Sequence, residues 1–305
     1  MPVPIVYHSD YVAPLPDGHR FPMPKFQRLF EMLQQEGIAR QGYCFEPEMP
    51  SRECLQLVHD PDYVAAYCDG RLDDKAMRRI GLPWSESVVR RTCRAIGGTI
   101  LTARLALDRG LACNTAGGTH HAFPDYGSGF CIFNDLAVAT RVLQRRQLAR
   151  RILIVDLDVH QGDGTAVIFH NDPSVFTFSM HCQDNFPGTK QQSSLDVPLP
   201  VGMEDEDYLQ TLAAYLPDVL ADFKPDLVLF DAGVDPHVDD RLGKLALTDT
   251  GIYRREMQVL NTCVGAGYPV AAVIGGGYAS DIASLVYRHS LLHRAADEVC
   301  RHYGL

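Results

Sequence analysis

The chain has 305 residues, of which 46% are hydrophobic and 22% charged, and its formal net charge is −10. That composition is globular, no apolar run approaches a membrane span, and the opening Met1-Pro2-Val3-Pro4-Ile5-Val6-Tyr7 lacks the basic-then-apolar order of a secretion signal. The acidic charge argues against nucleic acid as a direct ligand but not against a cationic peptide or amine, and nine cysteines without a Cys-x-x-Cys pair suit a reduced, cytoplasmic setting.

Ile5 to Tyr7 reads as a first strand, and the Pro-, Asp- and Gly-rich residues 9 to 24 as a long irregular loop of the kind that rims sites. Phe26, Leu29, Phe30 and Leu33 recur at helical spacing behind Pro24. His59-Asp60-Pro61-Asp62-Tyr63 opens a short helix, with His59 in a structural role. A long helical pattern covers Ser85 to Arg109, where Gly97-Gly98 lowers propensity and points to close packing. Leu111 to Asn114 is a strand, followed by the loop Thr115-Ala116-Gly117-Gly118-Thr119-His120-His121-Ala122-Phe123-Pro124. Asn134 is placed to cap a helix over Leu136 to Arg145.

Next comes a short Ile- and Val-rich run, Ile152 to Asp156, that reads as a buried parallel strand. A helix over Thr165 to His170, a strand over Val175 to Met180 and a loop from His181 to Gly188 follow. Glu204 to Asp207 reads as a helix N-terminus matched to the helix dipole. Leu227 to Asp231 and Val270 to Ile274 are further buried strands; Thr248 caps a helix running to Val264, and a terminal helix starts near Asp281. Alternating strands and helices, with no linker or repeat, predict a single α/β domain over 1–305 with an open, mostly parallel, doubly wound sheet.

The chemistry collects just past the carboxyl ends of these strands, the edge where ligands bind in such sheets. Asp156, Asp158 and His160 sit at i, i+2 and i+4 and point the same way from an extended chain. Taken alone, this pattern is as well read as a capped helix start with solvated loop charges. Two carboxylates and an imidazole, however, suit Zn²⁺ or a similar divalent ion. Asp231 and Asp235 both qualify by position as a further ligand, and Asp239 and Asp240 less well. The adjacent His120 and His121 suit proton transfer or ligation, and Tyr278 behind Gly275-Gly276-Gly277 could donate to a developing oxyanion. Together these residues describe metal-assisted amide hydrolysis.

With these residues in place, the sequence resembles the zinc-dependent histone deacetylase family, including bacterial deacetylase-like members and the class IV branch. The matching stretches are Gly117-Gly118-Thr119-His120-His121-Ala122, Gly127-Ser128-Gly129-Phe130-Cys131, Asp156 through Gly164, Asp231-Ala232-Gly233-Val234-Asp235 and Gly275-Gly276-Gly277-Tyr278. They stand in family order across most of the chain. The resemblance implies an arginase/deacetylase-like fold, one catalytic Zn²⁺ held by Asp158, His160 and Asp235, and His121 as the main general base and acid. It makes His120 the electrostatic partner, with Asp156 orienting His120 and Asp163 orienting His121. Tyr278 would polarise the acyl carbonyl, Phe130 and Phe186 would wall the channel for the lysine stem, and the Gly129 carbonyl would accept the scissile N–H. A structural K⁺ would use Asp156, Ser179 and the carbonyls of Asp158, His160 and Met180. Gln161, where many members carry a second histidine, narrows the match to the class IV branch. Asp231 stands where many members have a small or amide residue, and the loop Pro14 to Arg20 differs from the usual eukaryotic one.

The expected substrate is an acyl-lysine peptide or protein. The alternative on the same fold is an acetylpolyamine or other small amide, which the acidic charge would suit equally well. A two-Mn²⁺ ureohydrolase would need a carboxylate where Gly162 stands. A degenerate acyl-lysine binding module would be expected to lose one of the residues above, and none is lost. The terminal helix is a candidate surface for a homo-oligomer.

Overall fold

The structure, a computed structural model, describes residues 1–305. The chain runs β1 (Ile5–Val6), α1 (Lys25–Gln35), β2 (Cys44–Phe45), α2 (Arg52–Leu55), α3 (Pro61–Cys68), α4 (Asp74–Ile80), α5 (Glu86–Arg109), β3 (Leu111–Asn114), α6 (Asp135–Arg145) and β4 (Ile152–Asp156). It continues through α7 (Asp163–Ile168), β5 (Val175–Cys182), β6 (Leu195–Leu199), α8 (Asp205–Phe223), β7 (Leu227–Asp231), α9 (Asp249–Gly265), β8 (Val270–Val273) and α10 (Ile282–Tyr303). All eight strands belong to one sheet of order β2-β1-β3-β8-β7-β4-β5-β6, and every pairing is parallel. The expected open, doubly wound architecture is therefore present, and its sheet is parallel throughout rather than mostly so.

Parallel neighbours need long crossovers, and helices supply them on both faces except between β5 and β6, where the loop 183–194 does so. Alternate residues of β4 face opposite ways: Leu153 and Val155 join a core with α1, α8, α9 and α10, while Ile152 and Ile154 join one with α5 and α6. Both faces are buried, which is why the run is apolar without alternation. On α1, Phe26, Leu29 and Leu33 are buried together, each contributing roughly 1.5–3 kcal/mol relative to exposure. The chain leaves β3 and passes the positions later filled by β8 and β7 before it enters β4. From β4 the chain adds β5 and β6 on one side and then returns to add β7 and β8 on the other, and that reversal opens a crevice at the carboxyl ends of the central strands.

Several local expectations hold. Asn134 accepts from the Ala137 amide and caps α6, and Thr248 accepts from Gly251 and caps α9. His59 is structural: its Nδ1 faces the Phe123 carbonyl and its Nε2 accepts from the Asn134 amide. Close packing explains Gly97, where an added Cβ would lie 1.9 Å from the Glu48 carbonyl oxygen. The helix expected over Thr165 to His170 is α7, Asp163–Ile168, which begins and ends two residues earlier than its apolar pattern suggests. His181 is not in a loop: β5 continues to Cys182, and His181 pairs in register with Pro198 of β6. The edge strands β2 and β6 have no clear sequence signal. One is two residues long, and the other contains a proline, which an edge tolerates because one of its sides makes no ladder.

Candidate active site

Sheet register assembles the site. Asp156, the last residue of β4, stands opposite Ser179 on β5 and Asp231 on β7. β4 and β7 end at this level while β5 runs on to Cys182, so the residues that follow β4 and β7 are released into the crevice together. The loop after β4 carries Asp158 and His160, the loop after β7 carries Asp235, and the loop after β8 carries Gly275 to Tyr278. The histidine pair arrives from β3 on a loop tied to buried Asp135, which accepts from the Thr119 amide at 2.7 Å and the Thr119 hydroxyl at 2.6 Å. The His120 carbonyl in turn accepts from Thr165 of α7.

Two clusters result. Asp158, His160 and Asp235 bring one ligand atom each to within 4.8 Å of one another, as do His120, Asp156 and Asp231. In the first, His160 Nδ1 lies 2.9 Å from Asp158 Oδ1 and 3.2 Å from Asp235 Oδ2. The outer oxygens are fixed as well: Asp158 Oδ2 accepts from the Gly276 amide at 2.8 Å, and Asp235 Oδ1 from the Val159 amide at 2.9 Å. Asp235 Oδ2 is buried without a hydrogen-bond partner. An added Cβ on Gly276 would sit 2.2 Å from Asp235 Oδ2 and 2.4 Å from Asp158 Oδ2, so only glycine lets that backbone close over the carboxylates. Burial disfavours the His160 cation, yet its contacts with Asp158 and Asp235 raise it to about 10. Two carboxylates and an imidazole with an orphaned oxygen form a donor set that fits a divalent ion, whose binding would displace that proton. Asp239 and Asp240 lie outside both clusters. Asp239 pairs with Arg288, and Asp240 accepts from the amides of Leu242, Gly243 and Tyr278.

Beside the first cluster, His120 Nδ1 meets Asp156 Oδ2 at 2.7 Å and His121 Nδ1 meets Asp163 Oδ1 at 2.6 Å. Both pairs are buried, and both leave Nε2 as the free ring nitrogen. The two imidazoles differ in charge preference. For His120, burial is outweighed by the Asp156 and Asp158 carboxylates, which hold it well above its ordinary value. His121 is lowered to about 4, by burial and then by the charge of His120. The surroundings thus favour the cation on one ring and the neutral form on its neighbour. Asp231, at 0% exposure with both oxygens unpartnered, is raised well above the usual carboxylate range by burial and then by Asp156.

A cavity of about 560 Å³ leads to these groups. His121, His160, Gly129 and Tyr278 line it together with Phe130 and Phe186. The Phe186 ring stands edge-on to His121 with centroids 4.9 Å apart and is 46% exposed at the rim. Phe130 lies 5.7 Å from the Tyr278 ring. Burial, followed by Asp158 and Asp235, raises the Tyr278 phenol well above its ordinary value, so its hydroxyl remains a donor. Ser179 and Met180 are buried on β5, with Ser179 Oγ 2.9 Å from His181 Nδ1. Gln161 is tied into a separate network, donating to the Gln191 carbonyl and Asp196 Oδ1 at 2.7 Å each.

Six further residues contribute beyond the motifs, and of these only Asp240 is among the sequence candidates, there as a lesser metal ligand. Lys25 is buried, donates to the Gly275 carbonyl at 3.3 Å and is lowered to about 8 by burial. Its position on the inward face of an amphipathic helix was the available signal. Asp240 anchors the Tyr278 amide at 2.6 Å. Arg20, Arg78, Arg79 and Lys244 line the cavity, and as cations spread over three distant segments they carry no local signal.

Comparison with known proteins places this geometry in context. Residues 19–293 match the histone deacetylase domain. An uncharacterized protein of Picosynechococcus sp. (strain ATCC 27264 / PCC 7002 / PR-6) is 67% identical over 98% of this chain and 100% of its own length. The acetoin utilization protein AcuC of Bacillus subtilis (strain 168) is 31% identical, with 85% of this chain and 73% of that protein covered. Histone deacetylase 2 of Arabidopsis thaliana is 28% identical over 93% of this chain and 76% of that protein. Among solved structures, the HDA15 HD domain superposes with a TM-score of 0.81 at 23% identity, covering 97% of this chain and 88% of the other; this supports the shared fold.

Proposed function

Because the chain belongs to the histone deacetylase family, we propose that it is a zinc-dependent hydrolase of the amide in an Nε-acyl-lysine side chain. The observation that carries this reading is the convergence, at the inner end of one aromatic-walled cavity, of a two-carboxylate, one-imidazole donor set with two carboxylate-held histidines and a tyrosine. Asp158, His160 and Asp235 would hold the Zn²⁺. Bound there, the ion would supply Lewis acidity toward the acyl oxygen and lower the pKa of a water.

The remaining steps fall to the chain's own groups. Phe130 and Phe186 enclose the neutral stem of the acylated lysine and exclude water along it. The Gly129 carbonyl accepts the scissile N–H and sets the amide's orientation. His121, neutral with Nδ1 held by Asp163, takes the proton of the attacking water at Nε2 and returns it to the departing amine. His120, held cationic by Asp156, keeps the His121 proton affinity low and so makes it a ready acid in the second step. The Tyr278 hydroxyl donates to the oxygen on which charge develops. Asp156, Ser179 and the carbonyls of Asp158, His160 and Met180 are proposed to hold a K⁺ that fixes the β4 and β5 ends. The catalytic unit is taken to be one domain over 1–305. Nine free cysteines support a reducing, cytoplasmic setting, and no helix is long and apolar enough to cross a membrane.

The test is turnover of acetyl-, lactyl-, butyryl- and long-chain acyl-lysine peptides and of acetylated polyamines, with and without a zinc chelator. Chelator-sensitive cleavage of peptides supports the proposal. Cleavage of polyamines alone moves the chain to small-amide hydrolysis, and no cleavage by zinc-loaded protein refutes it.

A further inference from the structure

The chain is acidic, yet the walls of its site are not. Arg20, Arg78, Arg79 and Lys244 line the cavity, and no acidic side chain does. All four are exposed. An adjoining cleft of about 240 Å³ shares Arg20 and Tyr278 and adds Arg28 and Arg241, again without an acidic residue. The contacts that hold these cations leave their charge uncompensated. The Arg20 guanidinium lies over Phe130 at 5.9 Å and that of Arg79 over Tyr126 at 4.5 Å. Lys244 donates to the backbone carbonyl of Asp184 at 2.6 Å. None of the four has a carboxylate at ion-pair distance. Asp240, on the same loop as Lys244, spends its carboxylate on backbone amides.

Unpaired exposed cations around a channel that accepts a neutral stem act on whatever the substrate carries beside that stem. We propose that the mouth selects acyl-lysine flanked by Asp or Glu, in an acidic peptide or protein segment, and disfavours polycationic amines and basic tails. The proposal rests on the lysine-deacylase reading and names its substrate class. Flanking carboxylates would meet Arg20, Arg78, Arg79 and Lys244 in solvent, so the effect is one of attraction and ground-state binding and is weakened by salt.

The experiment uses three peptides with the same acetyl-lysine, flanked by Asp/Glu, by Ser/Gly or by Lys/Arg, and zinc-loaded full-length protein at low and high ionic strength. The acidic peptide is expected to exceed the basic one in kcat/KM by about tenfold or more at low salt, with the gap mainly in KM and shrinking as salt rises. In the double variant Arg78→Glu/Arg79→Glu, the acidic-to-basic ratio should collapse or invert. Lys244→Glu, on a different loop, should lower it independently. Because the ratio is read within each variant, a general loss of activity cancels. Hydrolysis of the Ser/Gly peptide with a ratio near one, or a ratio that neither variant moves, overturns the proposal and leaves the deacylase reading intact. Failure to hydrolyse any of the three, with acetyl, lactyl, butyryl and long-chain acyl groups alike, overturns both.

Discussion

Gly276→Ala tests the metal centre without touching a ligand. The Gly276 backbone is not in the left-handed region, so alanine is conformationally allowed there. Its Cβ, however, would stand 2.2 Å from Asp235 Oδ2 and 2.4 Å from Asp158 Oδ2, where ordinary contact begins near 3.4 Å. One or both carboxylates must retreat by about 1 Å, whereas a zinc ligand tolerates only about 0.2 Å. The retreat also strains the 2.8 Å bond from the Gly276 amide to Asp158. Losing a supporting partner alone typically costs 10- to 100-fold in metal affinity, and displacing a ligand costs more. Zinc affinity should therefore fall by at least about 100-fold, or about 2.7 kcal/mol. Zinc content after dialysis against a graded chelator measures this, with unfolding monitored separately to show that the fold survives. Gly188→Ala, whose Cβ would meet nothing within 4 Å, is the control. Wild-type zinc affinity in Gly276→Ala would refute Asp158 and Asp235 as the ligand pair.

Tyr278→Phe keeps the ring beside Phe130 and removes the hydroxyl; kcat should fall by about 10²–10³ with zinc content unchanged, and near-normal turnover would remove the oxyanion role. Asp231→Asn keeps the shape of a carboxyl that burial and Asp156 raise well above the usual range. It should leave zinc content and stability nearly unchanged, and a loss above about 3 kcal/mol in unfolding would show a charge-paired carboxylate instead. His59, lowered to about 4 from 6.5 chiefly by burial, is neutral in the folded state. Between these values the unfolded chain takes up the proton first, so stability falls as pH drops below 6.5, by about 2 kcal/mol at pH 5. The stability difference between wild type and His59→Gln should shift by that amount between pH 7.5 and 5, and a pH-independent difference would contradict the neutral, double-bonded imidazole.

What the sequence reveals here is set by range. Ile152–Asp156 and Leu227–Asp231 are legible as strands because burial on both faces leaves a contiguous apolar signature. Asp156, Asp158 and His160 are legible as a group because strand geometry aligns residues two apart. The choice of Asp235 over Asp231 is different in kind. Both follow a strand, and only the structure shows Asp235 turned to His160 while Asp231 stays under His120. β2 and β6 escape because edge strands need neither length nor unbroken hydrophobicity. His181 reads as loop from sequence because a histidine at a strand end looks like loop chemistry, whereas β5 runs on to Cys182. The cationic mouth lies beyond local reading altogether. Arg20, Arg78, Arg79 and Lys244 come from three separate segments, and each alone resembles an ordinary solvated cation.

Net charge misleads at this site for a physical reason. At physiological salt, charges more than about 8 Å apart are largely screened, so the chain's −10 does not set the field at the cavity. The lining cations do. If the chain hydrolyses acyl-lysine as proposed, their effect would also separate substrate from product: acylation leaves the lysine side chain neutral as it passes Arg20, Arg78, Arg79 and Lys244, while hydrolysis would restore an ammonium that those same cations repel. On the proposed activity, the mouth would admit the acylated side chain and oppose re-entry of the free one. The unacylated peptide should then inhibit more weakly than its acylated counterpart binds, and the difference should narrow in Arg78→Glu/Arg79→Glu. Equal inhibition in both proteins would mean that the rim contributes nothing to this discrimination and that the aromatic walls alone impose it.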